Sequence, residues 1–369
     1  MALLRYAAFR LDRAEPSSMA KPNPAKIRLA VIGCGAVAQI HHLPAIAASD
    51  RVEAAVLVDT DEKRARALAE RFGVPEVATD FKSLPGKVDA AVVALPNSLH
   101  APVSIELLRR GVHVLVEKPM AMSVQECDEM IAAASAGRAV LAVGLDFRFI
   151  DASLFVRDLL NDGLIGPLRR FDLRQGVIPR WPFATDFLLK KEMAGGGVLA
   201  DFGVHVLDLL LWWLGDLTVT EYRDDAVGGV ESDCEMTLVT GSGVTGTAEI
   251  SRTRNLRNTC IFGGERATLE VGIWDPDPEI RLSIDSREVA LAGRARPSSE
   301  SSAGSALNFT DVFIRQIDDF AKAVRGRGEP FVPGTEGRRS LALIEACYAQ
   351  KKPLELPWSV RPAGRETLQ

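Results

Sequence analysis

Short, nearly all-apolar runs alternate with amphipathic or Ala-rich segments between residues 26 and 145. Residues 26–32 (KIRLAVI), 52–58, 88–95, 112–116 and 140–145 carry few polar positions, as strands buried on both faces of a parallel sheet do. Residues 39–48, 61–72 (DEKRARALAERF), 101–110 and 124–136 read as the intervening helices. This strict β-α repetition predicts a doubly wound parallel sheet, an α/β fold. After residue 168 the pattern changes. A strand at 168–178 and an apolar helix at 204–214 precede strands at 234–239, 243–252, 258–262, 267–271 and 279–284, read as antiparallel. Gly241-Ser242-Gly243 and Gly263-Gly264-Glu265 supply turns between them. Val244, Gly246, Ala248 and Ile250 alternate onto one small, apolar face. A Ser- and Gly-rich loop at 292–307 and helices at 310–324 and 334–350 follow.

The first strand ends in Gly33-Cys34-Gly35-Ala36-Val37-Ala38, a GxGxxA turn that opens a helix. Gly33 permits a sharp turn, and Gly35 lets backbone N–H groups approach a pyrophosphate at the helix start. Ala36 and Val37 continue the loop, and Ala38 is small enough for the helix to pack on the strand. Asp59 ends the second strand 21 residues after Ala38, where a carboxylate accepts from ribose hydroxyls. The combination predicts a dinucleotide site of the Rossmann kind. Asp59 repels a 2′-phosphate and favours NAD. Lys63, Arg64 and Arg66 follow closely enough to offset that repulsion, so NADP is not excluded. Cys34, in the loop, is assigned no chemistry.

Composition narrows the partners. The chain has 369 residues, with 47% apolar and 25% charged positions and a net charge of −5. That is ordinary for a globular chain of about two domains. No basic stripe points to nucleic acid. Five scattered cysteines without a CxxC indicate neither zinc nor a disulfide framework, and fit a reducing, cytoplasmic setting. No uncharged apolar run approaches the roughly 20 residues of a membrane span. Residues 1–25 stand outside the pattern and read as a disordered leader with a Pro- and Ser-containing linker. Met19, just ahead of the first strand, is an alternative start.

Three further motifs follow in order. They are Leu95-Pro96-Asn97-Ser98-Leu99-His100, Glu117-Lys118-Pro119, and Gly195-Gly196-Gly197-Val198-Leu199-Ala200-Asp201-Phe202-Gly203-Val204-His205-Val206-Leu207-Asp208. With the nucleotide loop, over about residues 26–350, this resembles the Gfo/Idh/MocA family, which includes glucose–fructose oxidoreductase and inositol dehydrogenases. The resemblance implies a Rossmann domain at 26–146. It implies an α/β substrate and oligomerisation domain at 147–360, with a large, open, mostly antiparallel sheet. It also implies hydride transfer between NAD(P) and a secondary alcohol or ketone of a sugar, cyclitol or sugar derivative. Lys118 matches the family's EKP lysine, Asp201 its aspartate, His205 its histidine and Arg148 a common arginine. Asp146 and Phe147 stand where relatives often carry Asn or Arg, so no substrate contact is carried over to them.

Oxidising a carbinol removes a hydride and a proton, so the protein must supply a base and a charge that steadies the developing alkoxide. His205, the one histidine of the second domain, suits the base. Asp201 lies four residues before it, on the same helical face. Lys118 ends a parallel strand, where ligands bind in such sheets. It either polarises the reacting oxygen or, with its pKa depressed by a nicotinium charge, acts as the base. The sequence leaves that choice open. Each residue also has a plainer reading: a solvated lysine, a core histidine, a carboxylate steadied by a helix dipole. Asp208 either orients His205 or serves the structure, the second being favoured. Pro96, Asn97, His100 and Glu117 are expected to line the nicotinamide-ribose pocket. Lys118, Arg148, Trp181, Asp201 and His205 are the expected substrate contacts, although Trp181 can equally be packing. His41 and His42 are adjacent and lack metal-ligand spacing, and no metal site is expected. The cationic run 252–257 (RTRNLR) reads as a solvated strand end or as a contact for an anionic substrate group. A sheet with helices on one side needs cover on the other, which predicts a homodimer or homotetramer. Two other function classes share the motifs, an NAD-dependent glycosidase with transient sugar oxidation and a non-catalytic NAD-binding sensor. A sensor has no need of Lys118, Asp201 and His205 together.

Overall fold

The computed structural model describes residues 25–178, 186–273, 275, 278–285, 287–292 and 309–354. The leader up to residue 24, most of the 292–307 loop and Trp181 lie outside the described residues. The apolar runs of the first half are strands: β1 (Ile27–Ile32), β2 (Val52–Val58), β3 (Glu76–Ala78), β4 (Ala90–Val93), β5 (His113–Val116) and β6 (Leu141–Val143). They form one sheet in the order β3-β2-β1-β4-β5-β6, with each pair parallel. The helices are α1 (Leu43–Ala48, entered through a π turn at Ala38–His42), α2 (Glu62–Phe72), α3 (His100–Arg109) and α4 (Val124–Gly137). Asp61 caps α2 by accepting from the Arg64 N–H, and Ser123 caps α4 by accepting from the Glu126 N–H.

Successive strand residues point to opposite layers. Leu29, Val31, Leu57 and Val92 join the core with α1 and α2. Ala30, Ile32, Val93 and Val114 join the core with α3 and α4. Amphipathic α5 (Asp151–Asn161), with Ala152, Phe155, Val156 and Leu159 buried, leads into the second sheet. Its strands are β7 (Leu168–Gly176), β8 (Leu217–Asp224), β9 (Asp233–Thr240), β10 (Thr245–Ser251), β11 (Thr259–Gly264), β12 (Thr268–Gly272), β13 (Ile280–Ile284), β14 (Arg287–Ala292) and β15 (Lys351–Pro353). The order is β14-β13-β12-β11-β7-β10-β9-β8-β15. Only β7–β10 and β8–β15 are parallel among its pairs. The large, mostly antiparallel sheet is therefore present. The short strands β3 and β15, the strands β8 and β14, and the helix α5 extend beyond what the pattern predicts.

Helices α6 (Lys191–Ala194), α7 (Val204–Leu214), α8 (Thr310–Val324) and α9 (Gly334–Ala349) complete the chain. Two of them modify the simple division at residue 146. On α8, Phe313, Ile317 and Phe320 are buried in the core of β1, β2 and α1. Burying such side chains contributes about 1.5–3 kcal/mol each, so the helix is an integral layer of the first unit. Helix α9 packs between α4 and α7 and ties both units together. The stretch Lys191–Leu214 is long and apolar enough to cross a membrane, contrary to expectation, but 72% of its most apolar window is buried inside the fold.

Candidate active site

The nucleotide turn follows from two glycines. Gly33 has φ +96°, and a Cβ there would lie 2.2 Å from the Ala94 carbonyl oxygen, so no other residue fits. A Cβ at Gly35 would instead meet nothing within 4 Å, which leaves room for a phosphate to approach the backbone at the helix start. Asp59, at the end of β2, accepts from the Cys34 N–H (2.9 Å) and the Asp61 N–H (2.8 Å). It is also gripped by Arg64 through Nη2 (2.8 Å) and Nε (3.1 Å). Burial alone would raise its pKa, but Arg64 and the backbone donors outweigh burial and hold it below the ordinary value. Arg64 thus supplies the offset to Asp59, whereas Arg66 pairs with Glu62. The turn, the open cradle and the carboxylate fit a dinucleotide.

At the carboxyl end of β5 stands the Glu117-Lys118-Pro119 motif, with a cis Lys118–Pro119 peptide. Glu117 is buried and lies 2.6 Å from His42 Nε2, from the π turn at Ala38–His42. Burial opposes its ionisation, but the His42 hydrogen bond and the charges of His42 and Lys118 hold the carboxyl down at about 2. Lys118 reaches across to the second unit. Its Nζ donates to Asp201 Oδ1 and to the Asp201 carbonyl, both at 3.0 Å. Arg252 Nη2 donates to the other carboxylate oxygen at 3.3 Å.

Asp201 sits in a π turn, Leu199–Gly203, that leads into α7. Glu231 fixes the start of this turn. Its carboxylate accepts from the N–H groups of Gly197 (2.9 Å) and Leu199 (3.0 Å) and from the Tyr348 hydroxyl (2.8 Å). The Val198 N–H bonds the Glu231 carbonyl at 2.8 Å. A Cβ on Gly197 would lie 1.9 Å from that carbonyl, which accounts for the middle of the glycine run. His205 follows on α7. Its ring stacks on Phe147 at 4.4 Å, and Nδ1 lies 3.2 Å from Asp146 Oδ1.

The charges around Lys118 bear on the alternative left open for it. Burial works against its ammonium, but Asp201, Glu117 and Asp146 outweigh burial and raise its pKa above the ordinary value. Burial likewise opposes the Asp201 carboxylate, but Lys118 and Arg252 hold its pKa down. Lys118 and Asp201 are therefore an ion pair in the chain without cofactor.

Other expectations change. Arg148 is buried, and its donors are engaged within the chain: Asp208 takes its Nε and Nη2 at 2.7 Å each, and Glu336 accepts at 2.6 Å. Asp208 also accepts from the Ser340 hydroxyl at 2.9 Å, so it is a structural anchor. His100 is fully buried, with Nδ1 2.8 Å from the Pro119 carbonyl and Nε2 2.8 Å from the Leu95 carbonyl. It bridges the segments that follow β4 and β5, and burial lowers its pKa. Asn97 spends its amide N–H on the Ala194 carbonyl, 2.8 Å away across the two units. Pro96 starts the single 3-10 turn that carries Asn97. Glu117 places one carboxylate oxygen against His42 Nε2 and accepts the Lys118 N–H with the other at 3.2 Å. No cluster of His, Cys, Asp and Glu suited to a metal occurs among the described residues. The roles of His42, Asp146 and Glu231 were not legible. Each acts through a partner far away in sequence, and only the cationic run marked Arg252 beforehand.

A family model described as oxidoreductase family, NAD-binding Rossmann fold, matches residues 27–145, and the GFO/IDH/MocA C-terminal domain matches residues 154–270. A dTDP-3,4-didehydro-2,6-dideoxy-alpha-D-glucose 3-reductase of Streptomyces violaceoruber is 35% identical over 209 residues, 56% of this chain and 60% of that one. The D-glucoside 3-dehydrogenase of Escherichia coli is 32% identical over 51% of this chain and 54% of its own. This chain therefore spans little more than half the length of those relatives. A crystal structure of a 3-ketoreductase from Actinomadura kijaniata, in complex with NADP and TDP-benzene, superposes with a TM-score of 0.78. It is 26% identical, over 90% of this chain and all of that one. With both domain models matched in order, the chain belongs to the Gfo/Idh/MocA family of oxidoreductases.

Proposed function

We propose that the protein is an NAD(P)-dependent dehydrogenase or ketoreductase acting on a secondary alcohol or ketone of a sugar, cyclitol or sugar derivative. The observation that carries this reading is the convergence of Lys118 on Asp201 at 3.0 Å, with His205 on the adjoining turn of the same helical segment. The Gly33–Gly35 turn would hold the pyrophosphate of a nicotinamide dinucleotide and Asp59 its adenosine ribose, and the dinucleotide would supply the hydride donor or acceptor. Lys118 keeps its ammonium beside the reacting oxygen and favours the alkoxide. Asp201 holds Lys118 in place and accepts from a neighbouring substrate hydroxyl. His205 takes the hydroxyl proton in oxidation and returns it in reduction. The grip of Arg64 on Asp59 supports use of either cofactor, because it cancels the charge that would repel a 2′-phosphate.

The sugar-acting relatives support the substrate class. The outer face of the second sheet carries ion-paired side chains, Arg174 with Glu249 and Arg257 with Asp172, around a groove of about 260 Å³. Such a face is at home in water, so the homodimer or homotetramer is supported by the open sheet topology and not by an apolar surface here. Five thiols free of disulfides support a cytoplasmic location. Absorbance at 340 nm with both cofactors and a panel of sugars, inositols and nucleotide sugars tests the activity. Steady formation or consumption of reduced cofactor supports it. Turnover of a glycoside with no net change at 340 nm, or binding without turnover across the panel, would overturn it.

A further inference from the structure

Asp146 has no part in the reading above, yet it lies against its centre. It occupies the single 3-10 turn after β6 (Asp146–Phe149), and its side chain is almost fully buried. Its Oδ1 is 3.2 Å from His205 Nδ1. That nitrogen is buried and has no aligned hydrogen bond in the chain, so the carboxylate is its one charged neighbour at contact distance among the described residues. Phe147, the next residue, stacks on the imidazole at 4.4 Å with 21° between the planes, and fixes the ring's plane beside the carboxylate. The charge of Asp146 also acts on Lys118 and on His41. Among the described residues none is recorded as bonding His205 Nε2.

We propose that Asp146 is the positioning residue of His205. It keeps the proton of the neutral imidazole on Nδ1, so that Nε2 presents its lone pair to the substrate hydroxyl. This inference rests on the dehydrogenase reading. In the oxidative direction the substrate O–H proton passes to Nε2, the C–H hydride passes to oxidised nicotinamide, and the carbinol becomes a carbonyl. His205 then carries two N–H groups, of which Nδ1–H faces the Asp146 carboxylate, and the positive charge formed is met by a fixed negative one. A small rotation of either side chain aligns the pair. Asp201, whose charge also interacts with His205, has its carboxylate oxygens engaged by Lys118 and Arg252.

The test uses the full chain labelled with ¹⁵N-histidine, the His205 signal being assigned by its loss in His205→Gln. The native protein is expected to show neutral His205 as the Nδ1–H tautomer. Asp146→Leu, of similar shape, is expected to move it toward Nε2–H. Its kcat should fall about 10- to 100-fold, with KM and cofactor affinity within about twofold, since only part of a general base's 10²–10⁴-fold contribution is lost. Asp146→Asn, whose amide oxygen still accepts from Nδ1–H, is expected to recover part of the tautomer preference and of kcat. An Nε2–H tautomer in the native protein would overturn the proposal, as would an unchanged tautomer in Asp146→Leu. The native spectrum decides even if Asp146→Leu fails to fold. Failure of every carbinol to reduce NAD(P) would count against the dehydrogenase reading, and the tautomer measurement would still decide this one.

Discussion

Replacing Glu231 with alanine tests how the site is held, because this residue touches no reacting group. Its carboxylate takes three donors at 2.8–3.0 Å, the N–H groups of Gly197 and Leu199 and the hydroxyl of Tyr348. Glu231 is buried, and burial raises its pKa, so water cannot easily replace what it supplies. A buried donor left unpaired costs about 1–3 kcal/mol, and partial entry of water lowers the sum for three donors to roughly 3–5 kcal/mol. At about 2–4 °C per kcal/mol for a protein of this order of size, Tm falls by about 10 °C. The loss is expected to reach function too, because the freed turn carries Asp201 and leads into the helix of His205. A displacement near 1 Å at reacting groups costs about 100-fold in kcat. Differential scanning fluorimetry and the 340 nm assay, on the same preparation, measure both. Glu231→Gln keeps one acceptor oxygen and should fall between. A Tm within about 2 °C of native together with near-native kcat in Glu231→Ala would refute the clamp.

Further outcomes follow from the same contacts. Lys118→Met should lower kcat about 10²–10³-fold, the usual cost of removing one group that stabilises an oxyanion, with cofactor affinity by fluorescence titration little changed. Asp208→Ala strips Arg148 of two 2.7 Å bonds and should destabilise the protein by about 3–5 kcal/mol in urea unfolding, since it leaves a buried guanidinium with Glu336 alone. Glu117 titrates near 2 when folded against an ordinary 4.5, so its contribution is present above pH 4.5 and lost as pH falls toward 2. That contribution is on the order of 3 kcal/mol, and urea unfolding of Glu117→Gln should lack this part of the acid sensitivity. Arg64→Ala should weaken NADP about tenfold or more while NAD changes only a few-fold, because Asp59 is then a bare carboxylate facing the 2′-phosphate.

The parallel sheet was legible because buried strands and amphipathic helices write different periods into the chain. Gly33 was legible for a similar reason, since a left-handed φ and a 2.2 Å approach leave no alternative residue. Lys118, Asp201 and His205 were found by motif, and their convergence needed the fold, because 83 residues separate Lys118 from Asp201. Arg148 shows the converse. An arginine beside a site reads as a ligand contact until Asp208 and Glu336, 60 and 188 residues away, are seen to take its donors. His42 and Asp146 carry no local signal, as each is defined by one distant partner. The return of α8 to the first sheet was hidden for a related reason: its apolar stripe states that it packs, not on what.

The most direct measurement is a crystal structure of the protein with NAD(P)⁺ and a turned-over carbinol, or an unreactive analogue. The ligand oxygen is expected about 3 Å from both Lys118 Nζ and His205 Nε2, with its carbon about 3–3.5 Å from nicotinamide C4. A ligand held with its reacting oxygen against neither group, or a nicotinamide ring lying away from Lys118, would contradict the assignment.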